Sequence, residues 1–119
     1  MERFAAQSFD TADEVRELDK TNISVVSVGG AKVARFTFEP GWKWSECVGP
    51  KVGTPSCQAT HLGAAVAGHL HVVADDGSTI DIAPGHAYAI PPGHDAWVVG
   101  DEPFVGLEFQ SAATFGTSD

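Results

Sequence analysis

Apolar and polar positions alternate with period two from Asn22 almost to the C-terminus, which predicts a succession of short β-strands. The clearest stretch follows Val33: Ala34, Phe36 and Phe38 fall on one face, Arg35 and Thr37 on the other. Before it, residues 23–28 form a run rich in β-branched side chains that ends at the Gly29-Gly30 turn. After Pro40-Gly41, Trp42 and Trp44 share one face of the next segment, with Glu46 in register. Residues 49–57 carry the proline and glycine punctuation of a loop. Strands are expected again over 59–67, 69–74 and 78–82, the last two joined by an Asp76-Gly77 hairpin turn. With 88–90, 96–99 and 104–109 this makes about eight strands at regular spacing, the pattern of an all-β sandwich or barrel.

The N-terminal segment breaks the pattern. Thr11-x-x-Glu14 fits a capping box, and acidic residues crowd the turn that follows, so a short helix of about two turns is predicted within residues 8–18. The chain thus divides into an N-terminal arm with a short helix (1–22), a β-barrel (23–110) and a loose C-terminal tail (111–119).

A length of 119 residues fits one domain, with enough chain to bury a core without staples. The formal net charge of −9 repels phosphate backbones and anionic lipids, which argues against nucleic-acid and membrane partners. No apolar run approaches the length of a membrane span, and a soluble, cytoplasmic protein is expected. In a reducing compartment Cys47 and Cys57 are free thiols; a disulfide between them is the alternative. There is no Gly-x-Ser-x-Gly elbow, phosphate-binding loop or Cys-x-x-Cys pair.

The most informative motif is the stretch 84–97, in which Gly85 is followed after five residues by Pro91-x-Gly93. It resembles the second signature motif of the cupin superfamily, small double-stranded β-helix or jelly-roll barrels with a ligand pocket inside. Val66-x-Gly68, a strand, Asp76-Gly77 and Pro84-Gly85 extend the resemblance over roughly residues 36–109. It implies an antiparallel barrel and, as in other small single-barrel members, a homodimer. The family's first motif supplies two histidines and a glutamate that join a histidine of the second motif around a divalent metal. With Gly68 closing the first motif, His61 stands at the glutamate position, Cys57 at the second histidine and Pro55 at the first. The histidine of the second motif is replaced by Ala96, but His94 lies an even two residues away and so shares its face in a strand.

A second register, Gly63-x5-His69-x-His71-x3-Asp75, mimics the first motif in letters. It is rejected because it puts the carboxylate in the Asp-Gly turn and sends Leu70 and Val72 outward; His69 and His71 then belong on the outer face.

The resemblance therefore implies a non-standard metal site of Cys57, His61 and His94, with zinc, iron, nickel or copper as the ion. The expected ligand pocket adds Glu46, Trp44, Trp97 and Tyr88, tryptophans giving apolar walls and indole N–H donors for a polar ligand. Two functions stay open. One is a metal-dependent binder or enzyme for a small molecule, for which the resemblance implies oxygenase or isomerase chemistry. The other is a metal-free small-molecule-binding or sensing barrel. The first requires His61 and His94 to converge inside the barrel; the second separates them.

Overall fold

Where the alternation is strongest the backbone extends and pairs, and the inward set of each strand builds the core. The computed structural model describes residues 4–112 and residue 115. Among them, nine strands occur: β1 (Glu14–Leu18), β2 (Thr21–Val28), β3 (Ala31–Phe38), β4 (His61–Ala67), β5 (His69–Ala74), β6 (Thr79–Ile82), β7 (Ala87–Ile90), β8 (His94–Val99) and β9 (Phe104–Glu108). A six-stranded sheet runs β1-β2-β3-β9-β4-β7, a three-stranded sheet runs β6-β5-β8, and every pairing is antiparallel. The inner faces of the two sheets enclose the core. Ala34, Phe36 and Phe38 are buried from β3, Leu70 and Val72 from β5, and Ala96 and Val98 from β8. His69 and His71 take the outer face of β5, as the preferred register requires, and His71 Nδ1 pairs there with Asp81 at 2.6 Å.

Three expectations about the flanks are corrected. The N-terminal segment forms a single 3-10 turn (Phe9–Thr11), capped by Ser8 rather than Thr11, and then enters β1. A helix of two turns has little stability of its own, whereas the same residues gain a full ladder beside β2, from Glu14 opposite Val25 to Leu18 opposite Thr21.

Residues after Trp42 do not form a strand. Two one-turn helices, α1 (Trp44–Cys47) and α2 (Gly49–Val52), replace it and the expected loop. Asp95 Oδ1 accepts from the Ser45 N–H at 3.1 Å in the first turn of α1, Pro50 starts α2, and Gly53 ends it at φ +87°. The helical turn breaks the period-two register, so Trp42 and Trp44 are buried while Glu46 is exposed.

The C-terminal segment is not loose where it is described: Ser111, Ala112 and Phe115 are all buried. The rest of that segment lies outside the described residues. Phe115 stacks on Phe36 with ring centroids 4.7 Å apart and closes one side of the barrel. Arg16, from β1, donates to the carbonyl of Phe115 at 2.7 Å and to that of Ala112 at 3.2 Å. The N-terminal strand thereby straps the C-terminal segment over the barrel.

Because Arg16 is almost fully buried, Arg16→Met is expected to cost about 2 kcal/mol by leaving carbonyls without their donor. For a chain of this size that lowers Tm by roughly 10 °C, measurable by calorimetry; an unchanged Tm would show that the strap does not hold the segment.

Candidate metal centre

Inward parity places one chemically distinctive side chain on each of three neighbouring strands. His61 opens β4, Tyr88 lies on β7, and Glu108 ends β9, on the same face as Phe104 and Gly106. Gly63 sits opposite both Tyr88 and Glu108 in the ladders. A Cβ at Gly63 would meet the Tyr88 hydroxyl at 2.9 Å and the Leu107 carbonyl at 2.4 Å, and one at Gly106 would meet the same hydroxyl at 2.7 Å. These two glycines make the room through which the tyrosine reaches the glutamate.

The Glu108 carboxylate is buried and fully engaged. Oε1 accepts from His61 Nδ1 at 2.8 Å and from Ser111 Oγ at 2.6 Å, and Oε2 accepts from the Tyr88 hydroxyl at 2.5 Å. Since a carboxylate only accepts, the His61 proton on this side is fixed at Nδ1 and Nε2 turns the other way, 3.7 Å from Cys57 Sγ.

His94 is oriented by the same logic from another acceptor: its Nδ1 donates to the Pro91 carbonyl at 2.8 Å, leaving Nε2 for the interior. The backbone sets Cys57 beside it. The Cys57 N–H donates to the His94 carbonyl at 2.7 Å, and the Gly93 N–H donates to the Cys57 carbonyl at 2.7 Å. The His61 and His94 rings lie 5.2 Å apart between centroids.

Cys57, His61 and His94 are all buried, and their ligand atoms lie within 4.8 Å of one another. In a tetrahedral zinc site, bonds of about 2.0–2.1 Å to nitrogen and about 2.3 Å to sulfur put ligand atoms roughly 3.3–3.6 Å apart. The cluster therefore closes on an ion with side-chain shifts of about 1 Å. One thiolate and two imidazoles suit zinc or another borderline metal. Both histidines have the outer hydrogen bond that metal-ligating histidines almost always carry.

Electrostatics follow from the geometry. Burial alone would push the Cys57 thiol up, but the His61 and His94 imidazoles outweigh it and bring the thiol down to about 7. Burial alone would push His61 down, but Cys57 and Glu108 raise it to about 9. Glu108 is held below its ordinary value despite burial, chiefly by His61, and the Tyr88 hydroxyl is driven up by burial and the adjacent carboxylate. Without metal, between about pH 7 and about pH 9, these shifts favour a thiolate and an imidazolium over a carboxylate.

Of the residues expected to line the pocket, Trp44 and Tyr88 do so, together with His61 and His94. Glu46 does not, being exposed on α1. Trp97 does not either: the parity that turns His94 and Ala96 inward turns Trp97 outward, where it packs on His71 at 4.8 Å with Lys43 Nζ 5.3 Å from its ring centre. Cys47 is a free buried thiol, as is Cys57.

Comparison with solved structures places this architecture. No protein-family model matches the chain, and no curated protein matches it in sequence. The chain is similar to a Cupin 2 conserved barrel domain protein from Salinispora arenicola, with 14% identity over 90% of this chain and 87% of that one at a TM-score of 0.61. KdgF from Halomonas sp. matches with 14% identity over 80% and 82% of the two chains at 0.56. Oxalate decarboxylase from Lactobacillus farciminis matches with 19% identity over 82% of this chain but only 30% of its own, at 0.56. At such identities the likeness is one of fold, and the fold is the cupin β-barrel.

In metal-free protein, alkylation of Cys57 by iodoacetamide, followed by mass spectrometry, should rise as pH rises through about 7, because the thiolate reacts and the lowered thiol loses its proton there. Cys47, pushed up by burial from an ordinary 9.0, should stay unreactive over that range. A Cys57 profile with its midpoint near the ordinary value would contradict the pairing with the histidines.

Proposed function

We propose that this barrel binds a small molecule at a divalent metal ion held by Cys57 Sγ, His61 Nε2 and His94 Nε2, with zinc the favoured ion. One observation carries the reading: three buried donor atoms lie within 4.8 Å of one another, with both imidazole Nδ1 atoms already committed to Glu108 and Pro91. Three protein ligands leave a coordination position for a ligand, as catalytic rather than structural zinc sites do. Bound there, the ion supplies Lewis acidity toward a carbonyl or carboxylate oxygen, chemistry that suits an isomerase better than an oxygenase because zinc has no redox couple.

The chain's own residues do the rest. Glu108 holds the His61 ring and raises its basicity; Tyr88 and Ser111 keep that carboxylate in place. Phe36, Phe38, Leu70, Ile90 and Phe115 line the cavity and exclude water, which strengthens every electrostatic contact inside it.

A second reading is favoured by one feature of the same residues. Cys57, His61 and Glu108 stand in the order nucleophile, base and orienting carboxylate, at 3.7 Å and 2.8 Å. Metal uptake separates the two. Stoichiometric metal that blocks alkylation of Cys57 supports the metal centre; a protein that takes up none, while Cys57 alkylates as a thiolate, supports the thiol.

Cobalt(II) titration of metal-free protein should produce an intense near-ultraviolet sulfur-to-cobalt charge-transfer band that Cys57→Ser abolishes. Glu108→Gln should keep the band but weaken metal affinity roughly 10–100-fold, since it removes the negative charge that raises the basicity of His61 and puts an amide N–H₂ against its other donors. A variant with unchanged affinity would show that Glu108 does not tune the site.

A further inference from the structure

The two buried tryptophans beside the cavity differ in one respect. Trp42 donates its indole N–H to Thr21 Oγ1 at 2.9 Å, whereas the Trp44 Nε1–H, equally buried, has no acceptor among the described residues. No other buried side-chain nitrogen or oxygen among those residues is left without a partner. Trp44 is 2% exposed and lines the same cavity as His61 and His94. Leaving a buried donor unpaired is costly, and phenylalanine would fill an apolar wall without that cost. The remainder of the wall is mainly carbon, from Phe36, Phe38, Leu70, Ile90 and Phe104.

We infer that Trp44 is a specificity-determining residue: its indole N–H donates to an oxygen of a small ligand with an apolar body, a second oxygen or the same carboxylate group facing the metal. The inference rests on the metal-centred reading and adds to it the class of ligand, a small aliphatic carbonyl or carboxylate compound. The direction of the donor agrees, because an indole N–H selects acceptors and rejects ammonium or amide N–H groups. A site built around a buried donor discriminates strongly against a ligand that lacks the acceptor, since the donor is then left unpaired.

The test uses isobutyrate as the probe and the cobalt-loaded full chain. Isobutyrate should perturb the cobalt spectrum and, in the diamagnetic zinc-loaded chain, move one indole N–H resonance downfield, the resonance that is missing from Trp44→Phe. That variant should keep the cobalt band but bind isobutyrate at least roughly tenfold more weakly, about 1.4 kcal/mol. Equal affinity in the variant, no isobutyrate binding at all, or a Trp44 resonance that stays still while the cobalt spectrum responds would each overturn the inference. Failure of the cobalt band to form in wild type would instead overturn the metal reading. The wild-type indole resonance, followed in metal-free protein, then decides the Trp44 contact alone: a downfield shift with isobutyrate keeps it and no shift removes it.

Discussion

The burial of one carboxylate constrains the rest of the interior. A Glu108 side chain sealed inside an aromatic barrel is tolerable only if its charge is compensated and its oxygens are occupied. The fold meets that demand with donors from three places: His61 on β4, Tyr88 on β7 and Ser111 after β9. Each donor has a structural consequence. His61 is fixed in orientation with a proton on Nδ1, Tyr88 needs the two glycines that let it approach, and Ser111 brings the C-terminal segment inward to where Arg16 catches it. Removing the carboxylate would therefore loosen a histidine, a tyrosine and a terminus together.

The second half of the site depends on a backbone crossing rather than on charge. Cys57 and His94 come from segments far apart in sequence, yet they pair as an isolated antiparallel bridge. Hydrogen bonds between main chains set the thiol beside the imidazole, so their proximity does not rely on side-chain attraction. Two independent devices thus aim three donors at one point: a buried carboxylate behind His61, and a peptide bridge with the Pro91 carbonyl behind His94. Preorganisation of this kind separates a ligand set from a chance cluster of polar groups.

Much of the barrel was legible because period-two alternation is a direct image of a two-faced sheet. The alternation from Ala34 to Phe38 gives the inward face of β3, and the demand that Leu70 and Val72 point inward decides between the two histidine registers. His61, Cys57 and His94 follow from that choice, His94 because an even displacement preserves the face of a strand. What was not legible has equally physical causes. Glu46 and Trp97 fail on parity: a helical turn after Lys43 destroys the strand register of Glu46, and the face that admits His94 excludes Trp97. Glu108 sits at an inward position shared with Phe104 and Gly106, but a charged residue at a strand end reads as solvent-facing until its partners are known. The capping box near Thr11 is a local signal overruled by sheet pairing, and the burial of Ala112 and Phe115 rests on Arg16, nearly a hundred residues away in sequence.

X-ray absorption at the zinc edge of zinc-loaded protein counts the atoms around the ion. One sulfur at about 2.3 Å and two imidazole nitrogens at about 2.0–2.1 Å are expected, completed by a light atom from solvent or ligand. A shell without sulfur, or with oxygen and nitrogen from surface groups alone, would contradict a centre built from Cys57, His61 and His94.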